Sequence, residues 1–157
     1  MKWLLLNLML GLAWLVLTTQ WTPLNFLIGL LIGFLTLGLV QRAAGRATYL
    51  RKVQQIIALT GYFLWQLVVA NLRVAYDVLA PVQSMRPAVV AVPLDLRGEA
   101  QISLLANLIS LTPGTLSLDV SPDRRTLYVH TMHLSSREEF VAEIKNGFER
   151  YVREVFA

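Results

Sequence analysis

Residues Trp3–Val40 read WLLLNLMLGLAWLVLTTQWTPLNFLIGLLIGFLTLGLV and carry no charged side chain. So long an apolar run is the signature of chain lying in a lipid bilayer. As one straight helix, at about 1.5 Å per residue, it would be close to twice the ~30 Å hydrocarbon thickness. It is therefore expected to fold back once. Its only polar cluster is Thr18-Thr19-Gln20-Trp21-Thr22-Pro23, and a proline suits the first turn of a restarting helix. The prediction is a transmembrane helical hairpin, Lys2–Leu17 going one way and Pro23–Val40 returning. Each arm falls a little short of the usual ~20 residues, so tilt or partial insertion of the second is expected.

The chain outside this stretch has a different composition. Of 157 residues 55% are hydrophobic, yet all ten acidic residues lie from Asp77 onward. From Ser84 to the end the charges nearly balance. The formal net charge of +4 comes from Lys2, Arg42, Arg46, Arg51, Lys52 and Arg73. These flank the apolar stretch instead of covering a folded face, so the positive-inside rule explains them better than nucleic-acid binding. It places Arg42, Arg46, Arg51 and Lys52 on the cytoplasmic side, within reach of lipid headgroups, and the Thr18–Thr22 turn outside. The absence of cysteine excludes disulfides, thiol catalysis and thiolate metal sites. Lys2 and the apolar run also suit a secretory signal, but a second apolar run follows at once and no small-x-small cleavage site precedes it.

Within the returning arm Gly29, Gly33 and Gly38 fall near one helix face, and Gly29–Gly33 is a GxxxG spacing. Small residues let helix backbones approach in lipid, so this face is expected to meet a partner helix. Trp3 and Trp21 suit interfacial anchors. Val53–Ala80 has helical character, with Gln55, Gln66, Arg73 and Asp77 on one narrow stripe. That stripe favours a long amphipathic helix along the cytoplasmic interface, a third span being the alternative. Arg73 and Asp77 are expected to pair at i,i+4. Pro81 ends the helix and Val82–Arg86 links it to a compact unit.

In that unit Ala88–Leu96 is β-rich and Gly98–Ser110 is an amphipathic helix stopped by Thr112-Pro113-Gly114. Thr115–Ser121 alternates Leu116, Leu118 and Val120 on one face, the pattern of a half-buried strand. Thr126–Leu134 returns beside it. Ser135 to Glu139 caps a last helix carrying Phe140, Ile144, Phe148, Tyr151 and Val155. The order is β-α-β-β-α, with helices on one side of a sheet. So small a core is expected to gain from docking.

Chemistry is sparse. His130 and His133 point to opposite faces of a strand and have no third ligand at a metal-site spacing, so both read as surface or edge histidines. Thr112-Pro113-Gly114-Thr115 lacks the Lys-Ser/Thr of a phosphate loop, and its glycine follows a helix instead of opening one. Glu138, Glu139 and Glu143 sit in the first turns of a helix, where its dipole favours acids. No catalytic residue, cofactor site or metal site is predicted. Residues 3–40 offer no ionisable group to relay a proton or hold a cation at membrane depth.

Several strings carry a family resemblance over essentially the whole length. They are Leu104–Ser121 (LLANLISLTPGTLSLDVS), Thr126–His130, Asn25–Phe34, Tyr49–Lys52 and Val92-Pro93-Leu94. The chain resembles the E subunits of the Mrp-type (Mnh, Sha) multisubunit sodium/proton antiporters. The resemblance implies an accessory component needed for assembly and activity in a bacterial plasma-membrane complex. Its larger partner subunits would carry the ions, and its C-terminal domain would lie on the cytoplasmic side. It also marks Asn107, Thr112, Pro113, Gly114 and Thr115 as a structural family motif.

The reading is of a multi-pass bacterial cell-membrane protein, α plus α+β. Residues 1–41 form the hairpin, 42–82 the basic loop and interfacial helix, and 83–157 a small cytoplasmic domain. The function expected is that of a non-catalytic subunit of a cation (Na+)/proton antiporter, its partners being the other subunits and the bilayer. One alternative is a membrane-anchored module recruiting a cytoplasmic partner or ligand. A transporter acting alone is the other, disfavoured by the missing relay.

Overall fold

The computed structural model describes residues 2–43, 48–79 and 85–157. They form two compact units, one ending at Gln54 and one beginning at Gln55.

In the first unit α1 (Lys2–Thr18) and α2 (Pro23–Ala43) make the hairpin. Both outrun the expected arms, α1 by one residue and α2 by three. The Thr22 hydroxyl accepts a bond from the Asn25 amide at 3.2 Å, so it caps α2 and leaves Pro23 at the first helical position. The buried face of α2 is Asn25, Gly29, Gly33, Leu37, Gly38 and Gln41. Leu24, Leu27, Leu31, Leu35 and Leu39 are each more than half exposed. The glycines explain this. A Cβ on Gly29 would lie 2.8 Å from Trp14 Cβ and 3.0 Å from the Gly11 carbonyl, and one on Gly33 would strike Asn7 Oδ1. The expectation that Gly29 and Gly33 meet a partner helix is therefore corrected: their close approach serves the chain's own α1. Gly38 faces Leu50, whose Cδ2 would be 3.0 Å from an added Cβ.

α3 (Thr48–Leu79) starts five residues earlier than expected, because nothing in Tyr49-Leu-Arg-Lys52 interrupts a helix. Arg42 belongs to α2, and Arg51 and Lys52 to α3, so they are not loop residues. Arg46, Pro81 and the linker residues Val82–Ser84 lie outside the described residues.

In the second unit β1 (Ala88–Pro93), β2 (Thr115–Val120) and β3 (Thr126–Thr131) form an antiparallel sheet in the order β1-β3-β2. α4 (Glu99–Leu111) joins β1 to β2. The chain ends with α5 (Arg137–Ile144), a π-helical turn (Lys145–Glu149) and α6 (Arg150–Phe156). Val92, Leu105, Leu127, Val129 and Val152 are fully buried where sheet and helices meet. α3 belongs to this core as well. Leu59 is buried in it, and Tyr62 packs edge-on to Phe148 at 5.1 Å and beside Tyr151 at 4.8 Å. The compact unit thus begins well before residue 83, because α3 is one of its walls.

Two features of this unit differ from the sequence pattern. Leu116 and Leu118 are about half exposed, not inward. A bulge between Ser117 and Asp119 leaves Leu118 without a partner and flips the parity, so that Val120 pairs with buried Leu127. The last helix is likewise not continuous. Gly147, at ψ −110°, breaks the α ladder, and the Tyr62 hydroxyl occupies the place a Cβ would take.

Candidate functional site

The polar stripe of α3 pairs differently from its sequence spacing. Gln66 donates to the Tyr62 hydroxyl at 2.7 Å, and the Asp77 side chain is only 6% exposed. Asp77 does not pair with Arg73. Its Oδ2 lies 2.9 Å from Nε2 of His133, in the segment that follows β3. The contact is ionic in distance but off the line of a good hydrogen bond. His133 is thus a mostly buried, paired residue, 20% exposed, rather than an ordinary surface histidine. The signal was its parity: Leu127, Val129 and Thr131 point inward, and 133 continues that phase. His130 lies on the opposite face, paired with Leu116 and Val89.

Around this pair lie two spaces that share Arg73, His133, Phe140 and Glu143. The narrower, about 90 Å³, reaches between α3, α5 and the Thr112–Thr115 turn. The wider, about 560 Å³, is lined also by Arg86 and Glu139. The family-motif residues build the rim of the first. Thr112 Oγ1 donates to the Leu108 carbonyl at 2.9 Å and Thr115 Oγ1 to the Ile109 carbonyl at 2.7 Å. Pro113 lines the same space, and Gly114 supplies the positive φ of +87° that the turn needs. Asn107 is exposed on α4, and nothing in the structure explains its place in the motif.

A second cluster ties the exit of β1 to the last helices. Glu149, 1% exposed, accepts bonds from the amides of Asp95 at 2.6 Å and Leu96 at 3.2 Å. Lys145 Nζ stands 2.7 Å from Asp95 Oδ2 and 3.4 Å from Glu149 Oε2, the latter an electrostatic contact without a hydrogen bond. The Lys145 bond is the main reason the Asp95 carboxyl titrates below its ordinary value, despite a smaller opposing desolvation. Every charge in this cluster serves the fold. Among the described residues no three His, Asp or Glu side chains come together as metal ligands would.

The hairpin treats its polar groups in the same way. Trp14 Nε1 donates to Asn25 Oδ1 at 3.0 Å, and Asn25 Nδ2 donates to Thr18 Oγ1 and the Gln20 carbonyl. Asn7 Nδ2 donates to the Tyr49 hydroxyl at 3.0 Å, and the Tyr49 amide to Gln41 Oε1 at 2.9 Å. Arg42 and Arg51 are exposed and Lys52 is half-buried.

A family model described as Na+/H+ ion antiporter subunit matches residues 7–155. The chain belongs to this family. It is 38% identical to the Na(+)/H(+) antiporter E subunit of Alkalihalophilus pseudofirmus over 151 residues, covering 96% of each chain. The E subunit of the Bacillus subtilis antiporter is 36% identical over 151 residues, with the same coverage. Among solved structures, a chain of the membrane-bound sulfane sulfur reductase, an archaeal respiratory membrane complex, matches at TM-score 0.61 and 31% identity over 99% of both chains. A chain of the Mrp complex from a Dietzia species matches at TM-score 0.52 and 27% identity, over 65% of this chain and 96% of that one. The resemblance read from the Leu104–Ser121 string is thereby confirmed.

Proposed function

We propose that the protein is a non-catalytic accessory subunit of a multisubunit Na+/H+ antiporter in the bacterial cell membrane, working through assembly with ion-carrying partner subunits. The observation that carries this is the use of the hairpin's polar groups. Asn7, Asn25 and Gln41 are its buried polar side chains, and each makes at least one hydrogen bond within the chain, although Asn7 Oδ1 and Gln41 Nε2 are left without a partner among the described residues. A proton relay at membrane depth needs ionisable groups, and residues 3–40 contain none.

In this reading the α1–α2 hairpin crosses the bilayer, with Trp3 and Trp21 at its interfaces. α2 has the length and composition for a span; so does the stretch Tyr49–Leu79 of α3. We place α3 along the cytoplasmic membrane surface. Its Asp77 is taken by His133 of the domain, while Ile57, Leu64, Trp65, Val68, Leu72 and Tyr76, each more than half exposed, form an apolar face on one side only. The basic residues Arg42, Arg46, Arg51 and Lys52 support a cytoplasmic N-terminus and C-terminal domain. The test of function is removal of the protein from a complete complex, with sodium-driven proton exchange as the readout. Loss of assembly or exchange is expected, and an intact, active complex refutes the reading. Asp123→Cys, probed in intact cells with an impermeant thiol label, tests orientation: protection is expected, and ready labelling means that α3 crosses.

A further inference from the structure

The wider space beside His133 holds charges of both signs that leave one another alone. Arg73 of α3, Arg86, and Glu139 and Glu143 of α5 all line it. Among the described residues none of the four makes an ion pair. Asp77, one turn from Arg73, is already taken by His133. Arg86 is fixed through its backbone, its amide donating to the Met132 carbonyl at 2.9 Å and its carbonyl accepting from Leu134 at 3.1 Å. All four side chains are exposed at its mouth, open to a ligand as well as to water. Here they stand apart around about 560 Å³, a volume within the ~300–1,000 Å³ of small-molecule sites.

A simple anion would satisfy the guanidiniums and be repelled by the glutamates; a simple cation would meet the reverse. We propose that this cleft binds a zwitterionic phospholipid headgroup, its phosphate on Arg73 and Arg86 and its primary ammonium on Glu139 and Glu143. Guanidinium suits the phosphate because its fork of N–H donors matches two oxygens. A primary ammonium gives two carboxylates N–H donors that a quaternary one lacks. The lipid source rests on the placement of α3 at the membrane surface. Arg73 follows Leu72, 66% exposed, and precedes Tyr76, 67% exposed, by nearly one turn, so the cleft's cation borders the apolar face that would meet acyl chains.

The experiment is lipid binding to the full complex in detergent, with phosphatidylethanolamine, phosphatidylcholine, phosphatidylglycerol and soluble phosphoethanolamine as probes, read by native mass spectrometry. Phosphatidylethanolamine should bind in preference to the other two lipids. Arg73→Gln should weaken it about tenfold, the loss of one charge-assisted contact. Glu143→Gln should leave phosphate binding but erase the preference over phosphatidylcholine, and Glu139→Gln should repeat this independently. An unchanged thermal midpoint in each variant separates lost binding from lost folding. Equal binding of phosphatidylglycerol, unmoved by Glu143→Gln, overturns the zwitterion in favour of a plain anion site. Variants that alter co-purification of the other subunits but no lipid affinity overturn it in favour of a protein partner. If α3 proves to span but soluble phosphoethanolamine still binds and responds to both glutamate variants, the placement of α3 fails, the lipid source falls with it and the site's chemistry stands.

Discussion

In the α1–α2 hairpin the buried positions include Asn7, Asn25, Gly29, Gly33 and Gln41 beside Leu15 and Leu37, while most leucines cover the outside. In the Gln55–Ala157 unit Leu105, Leu127, Val129 and Val152 are inside, and most charges are outside. On the proposed placement of the hairpin in the bilayer, both obey one rule: each hides what its surroundings solvate badly. Water rejects leucine, and a hydrocarbon layer rejects an unpaired amide. α3 shows the transition within one helix, with an apolar outer face and a mixed face that the domain covers. Substitutions that act on one region and spare the other test this contrast.

The largest effect is expected in the water-driven core. Leu105→Ala removes a side chain with no solvent exposure at the meeting of α4 and the sheet. It should cost about 2–5 kcal/mol, a loss of transfer energy plus a cavity. Hydrogen exchange should quicken across β1–β3 and remain unchanged in α1 and α2. Equal acceleration in both would show that the two units fold as one.

Gly33→Leu is the counterpart in the hairpin. Any Cβ there strikes Asn7 Oδ1, so α1 and α2 must separate and the Asn7–Tyr49 bond is strained. We expect a loss of about 3 kcal/mol, the upper end for overpacking. The readout is reduced co-purification with other subunits, with the sheet's exchange pattern preserved. Unchanged co-purification would mean that the hairpin tolerates a wider crossing than its glycines indicate.

Sequence revealed the hairpin because a long uncharged run broken once by Thr22-Pro23 has few folded solutions. The succession of strands and helices along the domain also followed from local signals, among them the Thr112–Thr115 stop and the Ser136 cap, whose Oγ accepts from the Glu139 amide at 3.1 Å. What stayed hidden was set by contacts distant in sequence. Gly29 has no label saying whether its neighbour is α1 or another chain. The Gln55–Asp77 stripe looks the same whether water or a protein face covers it, and the domain's claim on it shows only once Tyr62 meets Phe148. In β2 Leu116, ahead of the bulge, already faces outward beside His130, and the extra residue at Leu118 turns Val120 back toward buried Leu127. At the cleft, Arg73 and Asp77 at i,i+4 suggested a local pair, but the partner of Asp77 is 56 positions away, at His133 (133 − 77).

Glu149→Ala probes a buried polar group in the unit that otherwise buries apolar ones. It strips the acceptor from the Asp95 and Leu96 amides, which should cost about 1–2 kcal/mol. Glu149→Gln retains an oxygen for both amides and should recover most of that. If the two variants are equally destabilised, the charge facing Lys145 matters more than the amide bonds.

The smallest effect belongs to the exposed half of the same cluster, and pH separates its origin. Asp95 titrates below its ordinary value of 3.8 when folded, chiefly through the Lys145 bond. A carboxyl with a depressed folded pKa contributes stability above its unfolded pKa and loses it as pH falls through the folded one. The Asp95 side chain is 60% exposed, so solvent screening holds the contribution below about 1 kcal/mol. Asp95→Asn should therefore lower the urea midpoint slightly at neutral pH. The gap between variant and parent should close as pH falls from 3.8 through the lower folded value, beneath which both carry a neutral side chain at this position. Added salt should narrow the neutral-pH gap in the same sense. A gap that persists at low pH would assign the loss to geometry at the end of β1, where the Asp95 amide meets Glu149, and not to the ion pair.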